Sequence, residues 1–362
     1  MKLWYIAILM LLSCTANKSG KEPDNFKWYK GNTHSHTTLS GHADTHPDTV
    51  ALWYLDRGYN FLILSEHNTF IDPAGVHLPE NRRKDFILIA GEEVSAYNEI
   101  HTTGMNTNRL VPAHYPKPLY DIEALDPFDN LKIFMMQEHV DSIRAAEGVP
   151  ILNHPNWRSG ASAAEIVQVE RLHMLELYNG HPDVNNWGNE VHASMEVKWD
   201  SLLTAGRKIY GVSSDDAHFF QDWAEDISNP GRGWVMVKSK ELTSDAITDA
   251  MVRGDFYASS GVILSSLFVS KELYEIDIDT AATLGEIDSP YIIGYKNGQS
   301  QNPWTIEFIS DGGSILKEII GTEGALEVPS DVTYVRAKIT FSKPTETGSE
   351  QFFAWTQPLF LD

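Results

Sequence analysis

Hydrophobic and polar positions alternate regularly from residue 26 to about residue 261. Short apolar runs, typical of buried strands, occupy residues 28–32, 61–65, 86–90, 150–153, 174–178 and 208–212. Between them, apolar residues at helical spacing predict helices over residues 47–58, 130–148, 161–171 and 197–206. Strands and helices in regular succession indicate an α/β fold built on a parallel sheet or a barrel.

The pattern changes after Gly261. Residues 262–269, 291–296, 304–310, 332–341 and 352–360 are rich in β-forming residues, and Gly, Pro, Asn and Asp separate them. No long helical pattern follows. We therefore expect an α/β region over residues 27–262, followed by a small, sandwich-like β accessory domain over residues 263–362.

The N-terminus has the features of an export signal. Ten largely apolar residues, 3–12, follow Lys2, which is too short for a membrane span but typical of a signal peptide. Residues 11–14, Leu-Leu-Ser-Cys, resemble the lipobox of bacterial lipoproteins, and an ordinary signal peptide beside a chance cysteine is the alternative. The resemblance implies a signal over residues 1–13, a tether over 14–26, and a bacterial cell-envelope location. The lipid on Cys14, the only cysteine, would then be the sole membrane contact.

Charge narrows the range of partners. The chain has 28 basic and 50 acidic residues, which gives a formal net charge of −22. A field of this sign repels nucleic acids, so a nucleic-acid partner is not expected. An anionic substrate would need local positive charge, which bound metal ions can supply.

Histidines and carboxylates follow the predicted strands. All fourteen histidines lie between His34 and His218. His34 and His36 come after the first strand, and residues two apart on an extended chain point to the same side. His67 follows the second strand, and Glu92 and Glu93 follow the third.

Three more segments extend this pattern, namely His101, His154 before a proline, and Asp215-Asp216-Ala217-His218 after the strand at 208–212. Adjacent carboxylates repel each other unless cations neutralise them. Because the carboxyl ends of parallel strands meet at one edge, these side chains predict a shared metal site. Imidazole and carboxylate ligands suit Zn, Mn or Fe.

The ordered motifs resemble the PHP (polymerase and histidinol phosphatase) family over residues 28–262. They are His34-x-His36, Ser65-x-His67-Asn68, Glu93-Val94-Ser95, His154-Pro155 and Ser214-x-Asp216-Ala217-His218. Residues 178–182, Tyr-Asn-Gly-His-Pro, are similar to the CehA/McbA-type branch. The resemblance implies a distorted (β/α)7 barrel with two or three divalent metal ions at its mouth.

The resemblance also implies a ligand set. The first ion would be held by His34, His36, Glu93 and Asp216; the second by Glu93, His101 and His154; the third by His67, His218 and a residue of the loop after His36. In that loop Gly41 stands where the family usually has an aspartate. Asp44 is the predicted third-ion ligand, and His42 is the alternative.

These residues favour a metal-dependent hydrolase. The sequence contains no nucleophile-elbow, zincin or Walker motif. Besides the ligands Glu93 and Asp216, we expect His181 to protonate a leaving group and Arg158 to bind a substrate oxyanion. Phosphoester hydrolysis of a small or carbohydrate-linked molecule is the leading hypothesis. Hydrolysis of carboxylic or carbamic esters, as in the CehA-type branch, and a non-catalytic glycan-binding surface lipoprotein are the alternatives. The oligomeric state is left open.

Overall fold

A computed structural model describes residues 25–96, 99–113, 129–158, 160–298, 300 and 302–361, and the structural statements below concern these residues. The predicted lipobox and Cys14 lie outside them. The described helices are α1 Pro47–Asp56, α2 Asp129–Ala145, α3 Ala163–Ile166, α4 Met195–Thr204, α5 Ser244–Arg253 and α6 Thr280–Ile287. No helix in these ranges is long and apolar enough to cross a membrane.

The described strands run from β1 to β19 along the chain. The first ten are β1 Lys27–Asn32, β2 Phe61–Ile63, β3 Ile87–Ile89, β4 Gly91–Ser95, β5 His101–Met105, β6 Val149–Leu152, β7 Met174–Asn179, β8 Tyr210–Ser214, β9 Trp234–Ser239 and β10 Phe256–Ser259. The others are β11 Leu264–Val269, β12 Leu273–Ile278, β13 Tyr295–Gly298, β14 Trp304–Ser310, β15 Ser314–Ile320, β16 Glu323–Glu327, β17 Tyr334–Pro344, β18 Ser349–Thr356 and β19 Leu359–Phe360.

Local sequence explains where the helices begin and end. Pro47 opens α1, where a missing N–H costs nothing. The Thr243 side chain accepts from Ala246 N to begin α5, and Gly254 ends it in the left-handed region, at φ 79°. Helix α3 has a Ser162–Glu165 capping box but covers only four residues, so the helix predicted over 161–171 is much shorter than expected.

The mixed α/β class is confirmed, but the described strands form no closed barrel, so the (β/α)7 prediction is corrected. One sheet holds β1, β2 and β3 in parallel, with β9 antiparallel to β1. A separate sheet has the order β4-β5-β6-β7-β8. The cause lies in β4 and β5, which the hydrophobic pattern did not predict. The segment that joins them is too short for a crossover helix, so they pair antiparallel, and β5 pairs antiparallel with β6.

The two sheets meet at the carboxyl ends of several strands through isolated bridges. His67 bridges Glu93, and Ser35 bridges Ala217. These bridges join the segments after β1 and β2 to β4 and to the segment after β8. They therefore bring the candidate metal ligands of both sheets together.

The C-terminal strands continue the first sheet. The C-terminal region also contains helix α6, which the sequence pattern did not predict. Strand β18 pairs antiparallel with β10, and the sheet order is β15-β14-β17-β18-β10-β9-β1-β2-β3. Strands β11, β12 and β16 form a separate three-stranded sheet. Arg336 on β17 makes a bidentate ion pair with Asp200 on α4, at 2.7 and 2.6 Å. The C-terminal strands are thus tied to the region that carries the histidines.

Candidate metal centre

The segment that leaves β1 fixes His34 and His36 inside the protein. Both side chains are fully buried. The Asn32 side chain accepts from His34 N at 2.9 Å and donates to Gly233 O at 2.9 Å. Asp216 N donates to His34 O at 3.0 Å, and this bond brings the Asp216 carboxylate to the histidines. Asp216 has a φ of 51°, a strained conformation for a non-glycine residue and one that is frequent at functional sites.

Among the residues that the structure describes, four groups of side chains lie close enough to hold metal ions. Within each group, the ligand atoms are all within 4.8 Å of one another. The groups are His34, His36 and Asp216; His34, Glu93 and His154; His67, Glu93 and His101; and His36, His67 and His218. The predicted ligands, Asp44 excepted, therefore come together at one place.

Hydrogen bonds at Nδ1 imply that, when both rings are neutral, His34 and His36 turn unprotonated Nε2 atoms toward each other. His34 Nδ1 lies 2.7 Å from Glu176, and because a carboxylate only accepts, His34 donates there. His36 Nδ1 lies 3.1 Å from Ser40 Oγ, whose own proton goes to Glu66. In neutral rings both Nε2 atoms then carry lone pairs, yet they lie only 3.1 Å apart.

Carboxylate oxygens surround the same two nitrogens. His34 Nε2 lies 3.3 Å from both Glu93 Oε1 and Asp216 Oδ1, and His36 Nε2 lies 3.2 Å from Asp216 Oδ1. Four acceptor atoms facing one another in a buried place repel unless a positive charge lies among them. Imidazole nitrogens and carboxylates are ligands of divalent transition metals, so these residues fit such ions.

The pKa values of Glu93, Asp216 and His34 also show that negative and positive charges attract each other within the cluster. Burial alone would raise the pKa of Glu93 and Asp216, but neighbouring histidines, chiefly His101 and His34 respectively, hold both values well below normal. Burial alone would lower the pKa of His34, but Asp216, Glu176 and Glu93 hold it well above its usual value. The ionised carboxylates therefore attract positive charge, from a proton or a metal ion.

Glu93 connects the groups. Its Oε2 lies 2.8 Å from His67 Nδ1, and its Oε1 lies 3.2 Å from His101 Nδ1 and 3.3 Å from His154 Nε2. His101 begins β5 at the edge where β4 ends, because the two strands are antiparallel. A carboxylate with both oxygens among histidines has the geometry of a bridge between two cations.

Glu92 and Asp215, which precede Glu93 and Asp216 in the sequence, do not point into the cluster of histidines. The carboxylate of Glu92 accepts from Val111 N at 2.6 Å, outside the cluster. The carboxylate of Asp215 accepts from Tyr54 OH and from the backbone N–H groups of residues 231–233. The geometry agrees with the choice of Glu93 and Asp216 as the candidate ligands.

The loop after His36 brings His42, rather than Asp44, to the cluster. His42 Nε2 lies 2.9 Å from His218 Nε2, and its ring lies 5.0 Å from the His67 ring. The Asp44 carboxylate accepts from the backbone N–H groups of Phe220 and Gln221, at 3.0 and 3.2 Å. Asp44 thus fixes the segment after His218, and the alternative, His42, has the better position for a third ion.

Two carboxylates behind the histidines were not predicted. Glu176 on β7 accepts from His34 Nδ1 and Ser214 Oγ through Oε1, and from His154 N and Asn179 Nδ2 through Oε2. Glu66 accepts from Ser40, which contacts His36. Such partners fix the orientation and tautomer of ligand histidines. The signal for Glu176 was a single charge inside the apolar run at 174–178.

A cavity of about 330 Å³ opens beside the cluster, with Trp157 and Phe219 among its walls. His181 lines it, half-buried, with its ring 5.7 Å from the ring of His218. His181 Nδ1 accepts from Asp183 N at 3.1 Å, so in the neutral ring Nε2 carries the proton. Burial lowers the pKa of His181 and so disfavours the imidazolium form that a proton donor needs, and its predicted role stays a prediction.

Arg158 does not line this cavity. Its side chain is exposed, pairs with Glu99 at 3.1 Å and lies 4.8 Å from the centre of the Trp157 ring. It lines a different cavity. The predicted role of Arg158 as an oxyanion ligand therefore stays a prediction that the cavity geometry does not support.

Comparison with solved structures gives distant likenesses to this chain. No protein-family model and no curated protein matches the chain. A solved two-domain protein from Bacteroides vulgatus ATCC 8482, containing a predicted PHP-like metal-dependent phosphoesterase, aligns with 13% sequence identity and a TM-score of 0.45. The alignment covers 91% of this chain and 95% of that one. A likeness this distant assigns neither family nor activity.

Proposed function

We propose that this protein is a metal-dependent hydrolase of the PHP type. The observation that supports the proposal most directly is the pair of facing Nε2 atoms of His34 and His36 beside Glu93 and Asp216. This arrangement is favourable only around positive charge, and the donor set fits Zn, Mn or Fe. Divalent ions bound there would lower the pKa of a water molecule and polarise the bond to be cut.

The side chains around the ions have separate roles in this proposal. Glu176 and Ser40 hold the two histidines with Nε2 free. His181 would protonate the leaving group from its imidazolium form, which returns the ring to the neutral state and removes the charge that develops on the leaving oxygen. The buried ligand set keeps bulk water from the carboxylates and strengthens their electrostatic effect.

Phosphoester hydrolysis of a small or carbohydrate-linked substrate is the preferred reaction. Two or three cations would offset the charge of a phosphate and the chain's net charge of −22. One observation favours the second candidate, hydrolysis of a carboxylic or carbamic ester. The described lining of the cavity has no Lys or Arg, whereas Trp157 and Phe219 give it apolar walls that suit a neutral ester.

The test of the metal proposal is elemental analysis of purified protein, with His34→Ala and Glu93→Ala beside it. We expect at least two ions per chain, partial loss in His34→Ala, and loss of more than one ion in Glu93→Ala. His77→Ala, which removes a highly exposed histidine, is the matched control and keeps all ions. Fewer than two ions in the unmutated protein would contradict the proposal.

The test of the reaction is a panel of p-nitrophenyl phosphate, bis-p-nitrophenyl phosphate and p-nitrophenyl acetate, assayed after chelation and metal return. We expect metal-dependent cleavage of a phosphoester. Activity on p-nitrophenyl acetate alone would contradict phosphoester hydrolysis and support hydrolysis of carboxylic esters. Full metal occupancy without turnover, combined with polysaccharide binding, points to the glycan-binding alternative.

The lipid anchor is a separate proposal, supported by residues 11–14 alone. Its test is labelling of producing cells with a fatty acid analogue, with Cys14→Ser as the control. Label on the unmutated protein and none on the variant is the expected result.

A further inference from the structure

The cavity beside the histidines has a lining of two kinds. One part consists of the candidate metal ligands His42, His67, Glu93, His101, His154, Asp216 and His218. The other part, which we call the non-ligand wall, consists of Trp157, His181, Asp183, Phe219 and Ser228. The proposed hydrolysis concerns the group that reaches the ions, so the non-ligand wall decides what else the substrate can carry.

Two aromatic rings of this wall lie beside different groups of candidate ligands. The centre of the Trp157 ring is 5.4 Å from that of His101 and 5.1 Å from that of His154. Phe219 follows His218 in the chain, and their ring centres are 6.4 Å apart. His218 belongs to a ligand group that contains neither His101 nor His154. The cavity therefore has two apolar surfaces rather than one.

Main-chain contacts hold the segments that carry both rings. Trp157 forms an antiparallel bridge with Val184. Phe219 N donates to Ser228 O at 3.1 Å, and Asn229 Nδ2 donates to Phe219 O at 2.8 Å. Segments that are ordered before binding lose little freedom when a ligand contacts them, so the two rings are suited to bind apolar groups.

The non-ligand wall offers neutral donors and a carboxylate, and its residues include no Lys or Arg. Trp157 has an indole N–H and His181 an imidazole, whereas the Ser228 hydroxyl is buried. Burial lowers the pKa of His181, and the negative charges of Asp216 and Asp183 partly oppose this shift. The Asp183 carboxylate thus lies close enough to act on the charge of a group in the cavity.

Two guanidinium groups of neighbouring segments do not supply the missing positive charge. Arg158 pairs with Glu99 at 3.1 Å and does not line the cavity. Arg232 is buried, and nearby acidic side chains, Asp215 among them, partly oppose the lowering of its pKa by burial. Away from the candidate ligands, the described lining therefore has no cation for an additional anionic oxygen.

These features distinguish between the two classes of phosphoester. A monoester has one organic group and carries up to two negative charges, whereas a diester has two organic groups and a single charge. An additional anionic oxygen turned toward the non-ligand wall would face apolar rings and the Asp183 carboxylate. In a diester a second organic group takes that place and can contact the second ring. The cavity volume of about 330 Å³ lies in the range of small-molecule sites.

We propose that the substrate is a phosphodiester with a single negative charge, whose two organic groups lie against Trp157 and Phe219. This inference rests on the proposed hydrolysis and narrows its substrate class. Water cleaves one P–O bond, its hydroxyl group ends on phosphorus, and its other proton goes to the departing alcohol. The monoester that results has lost one organic group and gained an ionisable oxygen, which the non-ligand wall does not match, so its release is favoured.

The test is calorimetric titration of three ligands, whose poor leaving groups delay hydrolysis, into the full chain with its ions bound. Diphenyl phosphate has two rings and one charge, phenyl methyl phosphate has one ring and one charge, and phenyl phosphate has one ring and up to two charges. We expect diphenyl phosphate to bind most tightly, about three- to thirtyfold more tightly than phenyl methyl phosphate, because it contacts the second ring. Equal binding of the two diesters, tighter binding of phenyl phosphate, or no saturable binding of diphenyl phosphate would each overturn the inference.

Failure of the proposed hydrolysis gives a different result from failure of this inference. Tight binding of diphenyl phosphate without cleavage of any p-nitrophenyl substrate would contradict the hydrolysis and support the ligand class. Metal-dependent cleavage with a higher kcat/KM for p-nitrophenyl phosphate than for bis-p-nitrophenyl phosphate would support the hydrolysis and contradict the diester. Cleavage of p-nitrophenyl acetate alone would contradict both.

Variants test the arrangement of two rings. Phe219→Ala and Trp157→Ala each remove one apolar surface, so each should weaken binding of diphenyl phosphate about three- to thirtyfold. Phenyl methyl phosphate should bind almost unchanged in both, because its single ring can use the remaining surface. Phe134→Ala, which removes an exposed phenylalanine of α2 outside the cavity, is the control and binds all three ligands as the unmutated protein does. Metal content, measured in each variant, separates loss of a ring from loss of an ion. Equal losses for the two diesters, or no loss in either ring variant, would contradict the assignment.

Discussion

Glu176→Gln is the most specific test of how the metal centre is built. The Glu176 carboxylate accepts from four donors, which belong to His34, Ser214, His154 and Asn179, at distances from 2.5 to 2.8 Å. Glutamine keeps the shape but has one acceptor oxygen, so two of these donors face an amide NH₂. A buried donor without a partner costs roughly 1–3 kcal/mol, so the free energy of unfolding should fall by about 2–6 kcal/mol.

The effect on metal binding is separate from the effect on stability. Without an acceptor at Nδ1, the His34 ring is no longer held with Nε2 toward Glu93 and Asp216. Loss of such a partner typically lowers metal affinity by about 10- to 100-fold. The measurement is competition with a chromogenic chelator at a temperature where the variant is folded, checked by circular dichroism.

Glu165→Gln is the matched control for Glu176→Gln. Glu165 is also largely buried, but it belongs to the capping box of α3, where glutamine is an accepted replacement. We expect the control to keep both its stability and its metal affinity. A folded Glu176→Gln variant that binds ions as tightly as the unmutated protein would refute the role assigned to Glu176.

Three further predictions follow from named contacts. Ser40→Ala removes the partner of His36 Nδ1 and should lower metal affinity by about tenfold in a chelator competition, whereas Ser40→Thr, which keeps a hydroxyl, should not. Burial raises the pKa of Glu92 to about 7, so the folded state holds a proton that the unfolded chain has lost, and the free energy of unfolding falls between about pH 4.5 and pH 7. Urea titrations should therefore show Glu92→Gln about 1–2 kcal/mol more stable than the unmutated protein at pH 8 and equal to it at pH 4.5; the same difference at both pH values would argue against the titration. Arg336→Met leaves Asp200 buried without its partner and should cost about 3–5 kcal/mol in a urea titration, with partial recovery in the double variant carrying Asp200→Asn.

The sequence predicted the elements in which the spacing of apolar residues agrees with the Pro, Gly and polar residues that begin or end helices and strands. All six strands predicted before residue 261 are present, and α1, α2 and α4 lie within a few residues of their predicted bounds. β4 and β5 were not predicted because their residues are polar and charged, and these strands divide the predicted barrel into two sheets. The connection between β4 and β5 is too short for a crossover, so the two strands must run antiparallel. The pattern of hydrophobic residues carries no information on strand direction.

The candidate site was likewise predicted only in part. The histidines and acids that follow strands were found because their type and position are visible in the chain. Glu176 was not found, because its role depends on a contact with His34 across 142 residues. The preference for Asp44 followed the resemblance, which implies an aspartate in this loop. In the structure, backbone N–H groups of residues 220 and 221 donate to the Asp44 carboxylate, and His42 lies beside His218.

The position of β18 in the long sheet has a consequence for the order in which the protein can fold. This strand pairs with β10 on one side and β17 on the other, and Tyr257 lies opposite Thr356, about a hundred residues later in the chain. Pairing across such a separation is slow, because a long loop must close before any contact forms. Until residues 349–356 emerge from the ribosome, the edge of β10 that pairs with β18 stays open to pairing with other chains. The histidines after β1 are synthesised early, but the sheet that supports them is complete only once β18 has been made, so the yield of folded protein should depend on how well that edge is protected until then.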